Sequence, residues 1–201
     1  SATTTIVKTA GIETVNITAS TDSGSADVTT FTTTNMAAAN VVITKGQAAN
    51  TVALGTLNVA TTNVDASAYK GILTMTGGTG IAMTVSALGG VANTINTSTG
   101  SDTVTLTGKL GTAINVTNAS TGTLDTLNAT ADNASTDFTS VQGYETINLT
   151  VSNGAAAGFN NATKTDGLMI ATKVNILGGN SLSTFTISAY DANTAANTFD
   201  A

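Results

Sequence analysis

Along much of this chain hydrophobic and polar residues alternate one for one. In "ETVNIT", Glu13 to Thr18, Val15 and Ile17 point one way while Thr14, Asn16 and Thr18 point the other. That is the period-2 pattern of a half-buried strand. The same grammar recurs in "ADVTTFTTT" (26–34), "NVVIT" (40–44), "GILTMTG" (71–77), "IAMTVSA" (81–87), "AINVTNA" (113–119), "KVNILGG" (173–179) and "STFTISA" (183–189). Clusters of Gly, Asn, Ser and Asp separate these runs and supply turn chemistry. Only "NMAAAN" (35–40) and "NGAAAGFNNATK" (153–164) leave room for a helical turn, and Gly158 weakens the second. The pattern predicts an all-β chain.

A second regularity lies on top of the first. An acid or amide followed by Thr and an aliphatic residue opens six phrases, at Glu13, Asn50, Asn93, Asp102, Asp125 and Glu145. The steps between them are 37, 43, 9, 23 and 20 residues, all but the short one within three of a multiple of twenty. Repeats of that size suggest stacked strand-turn units. Two architectures fit: an interrupted parallel β-solenoid (β-helix-like) of Thr/Asn-rich strands, and a β-sandwich of antiparallel strands. The irregular spacing and the Ala/Gly insertions favour the solenoid.

"GIETVNIT" (11–18) and "GYETINLT" (143–150) share five of eight letters and contain the only two glutamates, Glu13 and Glu145. Each glutamate heads a strand, in the slot that Asp or Asn fills elsewhere. One reading makes it an acceptor for backbone N–H groups of the preceding turn. The other makes it a carboxylate ligand for a cation lodged between rungs.

Composition narrows the function classes. With 201 residues and 41% hydrophobic content the chain can bury a core, so disorder by low hydrophobicity is not expected. Only 9% of residues are charged, against roughly 25% in an ordinary globular protein. The solvent-facing surface must therefore be built of Thr, Ser, Asn and Ala. Pro, Cys, His, Trp and Arg are all absent. No disulfide framework is possible, and neither is a His/Cys zinc site, an imidazole base or a thiolate nucleophile. Paired carboxylates remain for sugar chemistry, and a β-helical polysaccharide lyase is the best enzyme alternative. Scarce aromatics and the missing Arg and His weigh against it, so no enzyme activity is expected. Net charge is −6, and the six lysines are scattered without a basic patch, so nucleic acid is not an expected partner. No apolar run reaches the roughly 18 residues of a membrane span, and membrane insertion is not expected. The chain opens at Ser1 and stops inside "NTFDA". Residues 1–201 read as one Thr/Ala/Asn/Gly-rich β domain, expected to be a segment of a longer secreted protein.

Four phrases carry a family resemblance: "TTNVDASAYKGILTMTG" (61–77), "GGTGIAMTV" (77–85), "NTINTSTGSDTVTLTG" (93–108) and "GYETINLTV" (143–151). They resemble bacterial surface-layer (S-layer) proteins, more closely those of the RTX-like kind exported by type I secretion. The resemblance implies an extracellular structural protein on the cell surface that self-assembles into a calcium-stabilised layer. It also implies lipopolysaccharide as an anchor, reached through a region not in this chain. The RTX calcium repeat reads Gly-Gly-x-Gly-x-Asp-x-aliphatic-x. Gly100, Asp102 and Val104 match its second half, while Thr97 and Ser98 stand where two glycines belong. Gly77, Gly78 and Gly80 match the first half of another copy, with Ala82 in place of the aspartate. The resemblance thus implies isolated calcium sites rather than a tandem roll.

Calcium takes about 6–8 oxygen ligands. Candidates are Gly100 and Asp102 with Asn93 of the neighbouring phrase, Asp22 and Asp27 in "TDSGSAD", and Asp132 and Asp137 in "DNASTD". Each acidic loop reads equally as an Asx-turn. The rival non-enzymatic readings are a stalk segment of a secreted RTX-type adhesin and a subunit of an extracellular fibre.

Overall fold

The computed structural model describes residues 2–5, 11–19, 28–32, 37–78, 80, 82–89, 91–97, 99–109, 115–118, 124–131, 141–151, 157–160, 173–177, 185–188 and 198–200. Strands and short connections are the only regular structure among them. In chain order the strands are β1 (Ala2–Thr5), β2 (Thr14–Ala19), β3 (Val28–Thr32), β4 (Asn40–Lys45), β5 (Thr51–Thr56) and β6 (Asn63–Tyr69). Then come β7 (Ile72–Thr76), β8 (Thr84–Leu88), β9 (Thr94–Asn96), β10 (Thr103–Lys109), β11 (Asn115–Thr117) and β12 (Thr126–Ala131). The last are β13 (Val141–Gln142), β14 (Thr146–Val151), β15 (Ala157–Asn160), β16 (Lys173–Leu177), β17 (Phe185–Ser188) and β18 (Thr198–Asp200).

Successive strands alternate between two sheets. The odd strands β1 to β13 form a seven-stranded sheet and all the even strands a nine-stranded one, each in sequence order; β15 and β17 form a separate pair. Every pairing is parallel. A chain that returns to the same sheet after each visit to the other, always in the same direction, is a parallel β-solenoid. The antiparallel sandwich is excluded. The rungs of the nine-stranded sheet are uneven in length: the one that aligns Thr84 with Thr103 is shorter than the one that aligns Thr146 with Lys173.

The alternation of the sequence becomes the wall between core and surface. On the nine-stranded sheet Val41, Val64, Val85, Val104, Leu127 and Ile147 stack in register and are all fully buried. From the other sheet Val52 stacks on Leu73, Met75 on Ile95, and Ile95 on Val116. Thr and Asn take the intervening outward positions. Because identical faces stack about 4.8 Å apart, each side chain meets a like side chain in the next rung. Outside the core Thr105, Asn128, Asn148 and Asn175 form a ladder: each Asn side chain donates to the previous member, over 3.1, 2.7 and 2.6 Å.

The described parts of the two segments that left room for a helical turn are not helical, and residues 35–36, 153–156 and 161–164 lie outside the described residues. Residues 37–39 are non-helical and Asn40 opens β4, while Ala157–Asn160 is strand β15, paired with β17. Partner strands override the weak helical leaning of the alanines.

Candidate functional site: a stack of strand-head side chains

All six phrases begin one residue before a strand: Glu13 before β2, Asn50 before β5, Asn93 before β9, Asp102 before β10, Asp125 before β12 and Glu145 before β14. The odd spacings now have a cause. The steps from Asp102 to Asp125 and from Asp125 to Glu145 each span one rung of the nine-stranded sheet, β10 to β12 and β12 to β14. The longer step from Asn50 to Asn93 spans two rungs of the other sheet, from β5 through β7 to β9. The short step from Asn93 to Asp102 is half a rung, crossing from β9 in one sheet to β10 in the other.

Glycine sets the approach to two of these heads. Gly11 and Gly143 stand two residues before Glu13 and Glu145 with φ of 84° and 88°, a left-handed conformation that favours glycine. At Gly143 a Cβ would also collide with the Asn118 carbonyl.

Four of the six head side chains share one task. Asp102 Oδ1 accepts the Met83 N–H at 2.7 Å, Asp125 Oδ1 accepts the Asp102 N–H at 2.7 Å, and Glu145 Oε2 accepts the Asp125 N–H at 2.9 Å. On the opposite sheet the Asn93 amide oxygen accepts the Leu73 N–H at 2.8 Å. In each case the donor sits one rung earlier, at or next to the aligned position. The head backbones continue the pattern in the other direction, with the carbonyls of Asp102, Asp125 and Glu145 accepting from Thr126, Thr146 and Lys173. Asn93, Asp102, Asp125 and Glu145 thus each bind the rung before by the side chain and the rung after by the carbonyl.

This settles the glutamate question for Glu145, which is an acceptor. Its donor is the previous rung rather than the preceding turn. Among the described strands Glu13 heads β2, the edge of its sheet, and its carbonyl accepts the Asn40 N–H.

A polar network surrounds the central head. Asp102, Asp125, Thr97 and Tyr144 are fully buried, and Asn118 nearly so. The Asn118 amide donates to Asp102 Oδ2 at 2.8 Å and to Thr97 Oγ1 at 2.9 Å. The Tyr144 hydroxyl lies 3.4 Å from Thr97 Oγ1. Burial pushes the Asp102 carboxyl above its ordinary range, and the neighbouring Asp125 adds to the rise; hydrogen bonds from Met83, Thr97 and Asn118 oppose it. Burial also holds the Tyr144 phenol far above its usual value, so it serves as a neutral hydrogen-bonding group. The arrangement ties rungs together through satisfied buried polar groups.

Among the sequence-derived calcium candidates, Asp102 and Asn93 lie in these ladders, with Gly100 in the turn before Asp102. Both Asp102 oxygens accept protein N–H groups, and Asn93 holds the Leu73 N–H while donating to the Leu88 carbonyl at 2.6 Å. No three Asp or Glu side chains converge among the described residues. In this structure the Asp102 and Asn93 side chains are engaged with protein partners. Asp22, Asp27, Asp132 and Asp137 lie outside the described residues. Sequence reasoning missed the supporting members Thr97, Asn118 and Tyr144; the signal was their place just past a strand or just before a head. A hollow of about 80 Å³ at the β2 end is lined by Ile17, Thr18, Ala19, Thr29, Phe31 and Val52.

No protein-family model, curated protein or solved structure matches the chain.

Proposed function

We propose that this chain is extracellular building material: a rigid, non-catalytic segment of a secreted protein that self-assembles into a calcium-stabilised layer on the cell surface. The observation that carries this reading is the near absence of charge on the described outward positions of both sheets. On the seven-stranded sheet these positions run Ala53, Thr74, Thr94, Asn115 in one column and Thr76, Asn96, Thr117 in the next. On the nine-stranded sheet Thr84, Thr103, Thr126 and Thr146 form one column, and Thr105, Asn128, Asn148 and Asn175 another. Such faces offer a second copy little electrostatic repulsion, and Thr and Asn lose less rotamer entropy on packing than Lys or Glu. The rigid, hydrogen-bonded rungs hold the faces in one shape. Calcium enters the proposal through the acidic sequence segments holding Asp22 with Asp27 and Asp132 with Asp137, where it would damp repulsion between subunits of net charge −6.

Light scattering followed by negative-stain microscopy tests the proposal. Ordered sheets at millimolar calcium, dispersed by chelator, are expected. A strictly monomeric protein at millimolar calcium would favour the adhesin-stalk reading, and filaments without sheets the fibre subunit.

A further inference from the structure

We infer that the outer face of the nine-stranded sheet packs against the same face of a second copy, about a two-fold axis parallel to the strands between β10 and β12. The inference rests on the self-assembly reading and names its contact.

Two observations carry it. The first is extent. Nine strands spaced about 4.8 Å apart, each about six residues long, give a face of about 800 Å². That matches the roughly 800 Å² per partner that a stable interface buries.

The second is the placement of charge. Among described side chains at outward positions of this face, the charged ones are Asp65 on β6 and Lys173 on β16. They have opposite signs and sit five strands apart, and the midpoint between their strands falls between β10 and β12. A two-fold axis there lays β6 over the partner's β16 and β16 over the partner's β6, with eight of the nine strands overlapping. Strand direction is kept, so Asp65 faces the partner column containing Asn175, the position two residues past Lys173. That offset is about 6.7 Å, within reach of a lysine side chain. Both opposite-charge pairs form at once, as an isologous contact requires. The rotation that instead keeps rung order would set Asp65 over its own copy and is disfavoured by like charge. At the other described outward positions of the overlap, Thr, Ser and Asn, with Val42, Leu88 and Leu177, meet at the roughly 10 Å separation of packed sheets.

The test is sedimentation velocity over a concentration series, with circular dichroism confirming that each variant folds. Asp65→Lys or Lys173→Glu alone creates two like-charge contacts and should weaken the dimer about tenfold or more. An equimolar mixture of the two variants restores opposite charges at both contacts, so it should form a heterodimer where neither variant forms a dimer alone. Asp65→Asn keeps the Oδ1 acceptor that holds the Ser67 N–H at 3.0 Å and should weaken the dimer less than Asp65→Lys. A wild type that associates, with variants that associate equally well, overturns this face and leaves self-assembly standing. A wild type that stays monomeric overturns both. A dimer with the expected charge response that never forms arrays upholds the face and overturns the layer.

Discussion

Replacing Asp102 with alanine removes the central link of the head stack. The Met83 N–H then has no carboxylate one rung away, and it lies in a fully packed part of the fold. An orphaned buried donor costs about 1–3 kcal/mol. The Asn118 amide loses the first of its two acceptors and keeps Thr97 Oγ1, adding about 1 kcal/mol. Removing a buried carboxylate also relieves its desolvation, and the proximity of Asp125 makes that relief larger. The balance is a destabilisation of about 2–3 kcal/mol. Asp102→Asn keeps an acceptor for Met83 and should lose about half as much. Thermal melting reads the total, and hydrogen exchange at the Met83 amide reads the locus. Exchange should accelerate there and in β8 and β10 before it does in β4, because stacked rungs depend mainly on their neighbours. An Asp102→Ala protein within about 0.5 kcal/mol of wild type, with the Met83 amide still protected, would refute the stack as a stabilising device.

Three further outcomes follow from the same geometry. Glu145→Gln keeps an acceptor for the Asp125 N–H and should cost about 1 kcal/mol or less; a larger loss in chemical denaturation would point to a role for its charge. Gly143→Ala combines a φ of 88° with a backbone collision at Asn118 and should cost more than about 2 kcal/mol, while Gly11→Ala, with open space around it, should cost only the backbone strain of about 1 kcal/mol; equal losses at the two sites would contradict the packing at Asn118. Because the folded state holds the Asp102 proton above the ordinary 3.8, its protonation stabilises fully below the unfolded value and that stabilisation is lost as pH rises through the folded one. Asp102→Asn cannot titrate and should flatten this part of the stability profile; identical slopes for variant and wild type would refute the assignment.

The sequence carried the strand heads more plainly than it carried their partners. All six acid-or-amide phrases mark strand starts, because Thr followed by an aliphatic residue is a strong strand opening and the preceding side chain has a fixed task. β6 was harder to see. Its alternation breaks at Ser67 and Ala68, both exposed, where a bulge shifts the register against β4. β13 is two residues long and too short to show a period. β15 was hidden because it opens at the end of an alanine run and Ala157 is extended only through pairing with β17. Within the site, Glu145 was legible as an acceptor but its donor was not. The donor, the Asp125 N–H, lies a whole rung back. Its alignment depends on rung lengths that differ along the stack, as the Thr84–Thr103 and Thr146–Lys173 pairings show. Thr97, Asn118 and Tyr144 escaped for a related reason: each stands just past a strand or just before a head, but that they meet is set by the stacking of rungs, which local spacing does not record.

The most direct measurement is electron microscopy of material shed from the surface of producing cells, labelled with gold-conjugated antibody against residues 1–201. The proposed layer predicts gold on regular two-dimensional sheets that lose their order when calcium is chelated. Gold on dispersed particles, or confined to the cell interior, would contradict it.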